Sequence, residues 1–175
     1  MSTVSPRPAA PPRAEEAAPR LVTGLPPDVA LGRAVAHLMI RPAFAAAPFG
    51  HVARGLTGQV NRGDYAFVAR GARFVGFAGW ARASEARAEA WLAGTRALAE
   101  AEAREGDCLV LNFWQADDPA VSRFLVAALG ARMPDIRLVV ARRHYPDGRI
   151  RPLRLRRPAR GRDASEFIFA KEHFS

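Results

Sequence analysis

Asp64 to Ala83 reads DYAFVARGARFVGFAGWARA, and its reading decides the fold. Two runs, Tyr65–Ala69 and Phe74–Trp80, are rich in aromatic and β-branched residues and meet at Arg70-Gly71-Ala72-Arg73. In the second run Phe74, Gly76, Ala78 and Trp80 alternate with Arg73, Val75, Phe77 and Gly79, the period of two that distinguishes the faces of a strand. Gly71 supplies a positive φ at the tip of a hairpin without steric cost. Gly76 and Gly79 lie inside the second strand. An interior glycine marks a bulge or a close approach by another backbone or a ligand; a plain Ala/Gly-rich strand from a GC-biased coding sequence is the competing account. This hairpin is expected to be the middle of the sheet.

Upstream, Met1 to Arg20 is rich in proline, alanine and mixed charge and has no aromatic residue, a composition that cannot form a packed core. A disordered tail is expected there, with structure beginning near Leu25 and one domain over 21–175. Pro26-Pro27-Asp28 starts a helix. Val29, Leu31, Ala34, Val35, Leu38 and Met39 give it an apolar stripe, and Arg41-Pro42 ends it, since the residue before proline avoids α geometry. A second helix is predicted from Pro48 to about Arg62 with Phe49, Val52, Leu56 and Val60 inward. Asn61-Arg62-Gly63-Asp64 turns the chain into the hairpin.

Downstream, an alanine-rich helix is predicted from Ser84 to about Arg104, with Ala88, Trp91, Leu92, Leu98 and Ala99 inward and Gly106 as its cap. CLVLNFW, Cys108 to Trp114, is a short continuous apolar run of the kind found in a strand covered on both faces. Asp117-Asp118-Pro119 restarts a helix to about Met133, with Val121, Phe124, Leu125 and Leu129 inward. Ile136–Ala141 is a strand, Pro146-Asp147-Gly148 a turn, and Arg149–Leu155 the returning strand. Arg156–Asp163 reads as a basic loop, and Ala164–Phe174 docks through its phenylalanines. No internal repeat is visible. The order ααββαβαββ describes an α/β layered domain.

The 175 residues suffice for one domain with a real core. The net charge of +9 comes almost entirely from arginine, Lys171 being the only lysine. That balance favours anionic partners without choosing among nucleic acid, lipid headgroups and acidic proteins; a solvated, GC-driven arginine surface explains it as well. The single cysteine, Cys108, excludes an internal disulfide, fits a reducing compartment and reads as a buried thiol. No stretch approaches the ~18 to 20 apolar residues of a membrane span, and the proline-rich N-terminus shows no export signal. A cytoplasmic protein is expected.

From about Leu31 to Leu155 the chain resembles the RTX toxin-activating (hemolysin-activating) lysine acyltransferases, as a divergent member. The resemblance rests on Tyr65-Ala66-Phe67-Val68, the short turn and the apolar strand ending in Trp80-Ala81. It rests also on Gly106-Asp107 ahead of a strand carrying Trp114 and Ala116, and on Pro42 followed by Pro48. It implies a GNAT-like α/β single domain with a mostly antiparallel central sheet flanked by helices, often as a homodimer. It implies fatty acyl transfer from acyl-acyl-carrier protein to lysines of an RTX-type protein, with no bound cofactor. The family's catalytic histidine falls on Phe44. Its catalytic aspartate falls on Phe113, or on Asn112 after a one-residue slip. None of the three can serve as base or carboxylate. Acyl transfer is therefore expected to be reduced or lost. An inactive relative that binds an acyl chain, an acidic protein or an anionic surface is the alternative.

Other groups are candidates for chemistry. His51, seven residues beyond Phe44, is a candidate substitute base, though a surface or interface histidine fits it better. His37 is expected to face solvent, and His144 adjoins a turn. Asp117 and Asp118 offer an acid just past the strand, against a capping role for Asp118. The densest basic stretch includes Arg142, Arg143, Arg154, Arg156 and Arg157, which suits an acidic acyl-carrier protein by electrostatic complementarity. It serves RNA or anionic lipid too, although it lacks the interleaved aromatics of a base-stacking platform. No metal-ligand spacing, phosphate-binding glycine loop or serine nucleophile elbow is present.

Overall fold

The computed structural model describes residues 17–98, 104–144, 149–157 and 168–169. In chain order the elements are β1 (Arg20–Val22), α1 (Pro27–Met39), α2 (Pro42–Ala45), α3 (Phe49–Arg62), β2 (Tyr65–Arg70), β3 (Arg73–Ala83), α4 (Glu85–Ala93), β4 (Cys108–Ala116), α5 (Pro119–Arg132), β5 (Leu138–His144), β6 (Ile150–Arg156) and β7 (Ile168–Phe169). The strands form one sheet in sequence order. Every neighbouring pair is antiparallel except β4 and β5, which the α5 crossover makes parallel. The α/β single domain with a mostly antiparallel sheet flanked by helices is the expected architecture.

The hairpin lies inside the sheet, and both of its faces are covered. Tyr65, Phe67 and Phe77 pack under α1 and α3 with Ala30, Ala34, Leu38, Leu56 and Val60. Ala66, Val68, Ala78 and Trp80 pack on the opposite face with Val121, Leu125 and Leu129 of α5. Beside the first layer, α4 covers Cys108, Val110, Leu138 and Val140 with Ala88 and Leu92. Burying a phenylalanine such as Phe67 or Phe77, neither of which reaches solvent, contributes about 1.5–3 kcal/mol. Gly71, with φ 57°, makes the turn.

The two interior glycines both read as close approaches, and bulges accompany them. Val68 pairs with Gly76 and Ala69 with Phe74, so Val75 is the extra residue of a bulge. A side chain on Gly76 would come within 2.8 Å of Val121 Cγ1. Gly79 pairs with Phe113 and Trp80 with Leu111, which makes Asn112 the extra residue of a second bulge, in β4.

Several expectations are corrected. Structure begins before Leu25: β1 pairs Arg20, Leu21 and Val22 with Ala69, Val68 and Phe67, so Arg20 belongs to the sheet. A three-residue edge strand is too short to show periodicity. Residues 1–16 lie outside the described residues. Pro42–Ala45 is a one-turn helix started by its proline. The inward face of α1 is Ala30, Ala34 and Leu38, while Val29 and Met39 face outward; Phe49, expected inward, is 78 % exposed. Helix α4 ends at Ala93 rather than about Arg104, because Gly94 adopts φ +80° and caps it. Gly106 is therefore not its cap. Strand β5 begins at Leu138 rather than Ile136, and runs on to His144. The 146–148 turn lies outside the described residues, as does most of the 164–174 segment; Ile168 and Phe169 pair with Arg156 and Leu155.

Candidate functional site

The parallel ladder between β4 and β5 joins Cys108–Leu111 to Leu138–Ala141 and goes no further. Beyond it β4 continues against β3 to Ala116, and β5 continues against β6 to His144. Two strands that run about 5 Å apart while paired therefore part at Asn112 and Arg142. The bulge in β4 falls at this opening. It breaks the alternation of faces, so that Phe113 joins the layer under α1 and α3 while Leu109 and Leu111 face α5.

Helix α3 is shaped to fit the bulge. Gly55 and Gln59, one turn apart, lie on the same face. The absence of a side chain at Gly55 lets the Phe113 ring lie against the helix: a Cβ there would be 3.0 Å from Cε2 and Cζ. Gln59 is 1 % exposed. Its Nε2 donates to Asn112 Oδ1 at 2.6 Å. Its Oε1 is buried without a hydrogen-bond partner and rests on Gly79, where a Cβ would collide with it. A buried, unmatched acceptor is rare enough to require a reason.

Phe44, on α2, reaches the same place. Its ring centroid lies 6.0 Å from that of Phe113, with the planes inclined by 39°. The positions that the resemblance gives to the base and the carboxylate, 69 residues apart in sequence, are thus neighbours in space. Asn112 adjoins them, occupied by Gln59. His51 lies one turn before Gly55 on α3 but is exposed.

A polar group next to this site carries little sequence signal. His37 is half-buried rather than solvent-facing, and its Nε2 is buried without a partner. Burial holds the imidazole below its ordinary 6.5; Asp117 opposes this shift and Arg41 adds to it. The side chain is accordingly neutral at pH 7 and can accept a proton. Arg41, in the extended link between α1 and α2, donates to Asp117 Oδ1 at 3.1 Å. Asp118 accepts the Val121 N–H at 2.7 Å as the N-cap of α5, and Arg70 at 2.7 Å. It does the capping work that its position before Pro119 suggested.

The basic stretch divides. Arg154 donates to Glu89 through Nε, at 2.9 and 3.2 Å, and through Nη2, at 2.7 Å. Arg156 bonds Glu85 at 2.5 Å. Arg157 donates to the carbonyls of Gly130, Met133 and Ile136. Arg142 lies 4.6 Å above the Trp91 ring and donates to the Trp91 carbonyl. Arg143, Arg149 and Arg151 are exposed. A separate cavity of about 260 Å³ is lined by Arg62, Asp64, Arg82 and Arg104, away from the residues that the resemblance singled out.

Cys108 is buried, and that burial, with Asp107 beside it, pushes its thiol up to about 12. It is a core thiol. Among the described residues no group of histidine, cysteine and carboxylate side chains can hold a metal ion, and no helix is long and apolar enough to cross a membrane.

No family model matches the chain, and no curated protein matches it. Among solved structures it is similar to a GNAT-like decarboxylase, GphF, in complex with isobutyryl-CoA. The two share 22% identity over 73% of this chain and 67% of that one, with a TM-score of 0.47.

Proposed function

We propose that this protein is an acyl-binding relative of the toxin-activating lysine acyltransferases, in which acyl transfer is reduced or lost. The observation that carries this reading is the meeting of Phe44 and Phe113 at 6.0 Å. Two positions that the resemblance pairs in function come together, yet as two rings. Rings narrow a pocket and make it apolar, which suits an acyl chain and not proton transfer. A lysine amine, with an ordinary pKa of about 10.4, is almost wholly protonated at pH 7. Its attack on a thioester needs that proton removed, a step to which a placed base contributes about 10²–10⁴ in rate. An acidic acyl-carrier protein is the partner, steered by exposed arginines such as Arg143, Arg149 and Arg151.

A second reading is favoured by His37, whose neutral imidazole has a buried, unmatched Nε2 beside the Arg41–Asp117 pair. In it the protein transfers acyl groups with His37 as the base. One experiment separates the two: single-turnover transfer from acyl-acyl-carrier protein to a lysine peptide by wild type, Phe44→His, His37→Gln and His51→Ala. Transfer absent in wild type and partly restored in Phe44→His supports the first reading. Robust wild-type transfer overturns it, and the histidine variant that abolishes that transfer identifies the base.

A further inference from the structure

Among the described residues, one guanidinium beside the opening between β4 and β5 has no acid to answer it. Helix α4 offers a carboxylate at each of two successive turns, Glu85 and Glu89, to arginines on β6 two residues apart, Arg156 and Arg154. The register across β5 sets the next rung: Leu138 pairs with Arg156, Val140 with Arg154, and Arg142 with Pro152. The next position down α4, at the same four-residue spacing, is Ala93. The third rung thus has an arginine and no acid.

Arg142 is nonetheless half-buried. Burial is the cause that lowers its pKa. Its guanidinium rests on Trp91 and makes one hydrogen bond, to the Trp91 carbonyl, among the described residues. An arginine has five N–H donors, so most of this one's capacity is unspent. Withdrawing a cation from water without a counter-charge is unfavourable, and stacking on tryptophan offsets only part of that cost. The side chain lies on the same sheet face as Leu138 and Val140, the face covered by α4. It is also the first residue of β5 past the end of the parallel ladder, as Asn112 is of β4. The unanswered cation and the Phe44–Phe113 wall therefore stand on the two sides of one opening.

We propose that Arg142 is the anion-recognising residue of this cleft. The ligand's apolar part lies against Phe44 and Phe113, and a single carboxylate or phosphate forks onto the guanidinium over Trp91, the geometry that arginine matches best. The inference rests on the cleft being the acyl site. The anion has two sources: a carboxylate at the far end of the acyl group, or the phosphate of a phosphopantetheine carrier arm.

The test is calorimetric titration of the full chain with two matched pairs. Glutaryl and butyryl N-acetylcysteamine thioesters differ by a carboxylate; phosphopantetheine and pantetheine differ by a phosphate. In at least one pair the charged member should bind tenfold or more tightly, and Arg142→Gln should shrink that advantage below twofold. Arg142→Lys, which keeps the charge but not the fork, should fall between, and near-wild-type circular dichroism shows that the variants fold. The pair that discriminates identifies the source. Equal binding within both pairs, or an advantage that survives Arg142→Gln, overturns the role of Arg142 and leaves the acyl-binding reading standing. Failure of all four probes to bind wild type overturns that reading, and this inference with it.

Discussion

Replacing Gly79 by alanine tests the packing of α3 onto the β4 bulge. The φ of Gly79 is not positive, so alanine is unstrained there and the obstacle is space. The new Cβ collides with Gln59 Oε1 and lies 3.0 Å from Cδ. Gln59 cannot swing aside freely, because it is buried and its Nε2 is held by Asn112 at 2.6 Å. Overpacking costs about 1–3 kcal/mol. Breaking the amide pair adds about 1–3 for buried groups left unmatched. The stiffer unfolded chain returns about 0.4–1. The net expectation is a loss of about 2–4 kcal/mol, or roughly 5–15 °C in Tm for a domain of this size. Urea denaturation of wild type, Gly79→Ala, Gln59→Ala and the double variant measures it as a cycle. In the Gln59→Ala background the collision is gone, and Gly79→Ala should be neutral or slightly stabilising. Additive effects, or a single variant within about 0.5 kcal/mol of wild type, the spread of ordinary surface substitutions, would refute the contact.

Two further outcomes follow from titrating groups. Burial lowers the folded pKa of His37 below 6.5, so below that pH the unfolded chain takes up a proton more readily than the folded one. Stability is therefore complete above about pH 6.5, the ordinary histidine value, and falls as pH drops from there toward the folded pKa; denaturation at pH 7.5 and 5.5 should show a smaller loss in His37→Gln, and an equal loss would contradict the burial. The Cys108 thiol, buried and pushed up to about 12, should react with Ellman's reagent at pH 8 only as fast as the protein opens; rapid stoichiometric labelling of native protein would show that it is accessible.

The hairpin and β4 were legible because their signals are local. The hairpin carries its own turn at Gly71, and CLVLNFW is too short and too apolar for anything but a covered strand. Helix α4 misled because alanine propensity extends past Gly94, while one glycine with a left-handed backbone ends the helix whatever follows. The faces of α1 and α3 misled for another reason. At their ends the apolar residues Met39 and Phe49 are exposed, so the apolar periodicity continues past the buried face. The candidate site was half legible. Phe44 and Phe113 were placed by resemblance, and they meet. Gln59 was invisible, because a glutamine in an amphipathic helix reads as surface. Only the second bulge, which turns Asn112 toward α3, gives it a buried partner.

The charge of the chain was the least legible property, because composition counts arginines and not their partners. Arg154 and Arg156 are matched by Glu89 and Glu85, and Arg157 is taken up by carbonyls at the end of α5. These guanidiniums tie β6 to α4 and α5. Glu89 shows the coupling directly: the Arg154 hydrogen bond holds its carboxyl below the usual range despite its burial. Partly exposed pairs of this kind are worth about 0–1 kcal/mol each, so their role is to fix position more than to add stability. What they fix is the level of β5 against α4, and hence the place of Arg142 over Trp91. On the proposal above, of the +9 that the sequence carries, the ligand's anion meets Arg142, placed over Trp91 by arginines that already have partners.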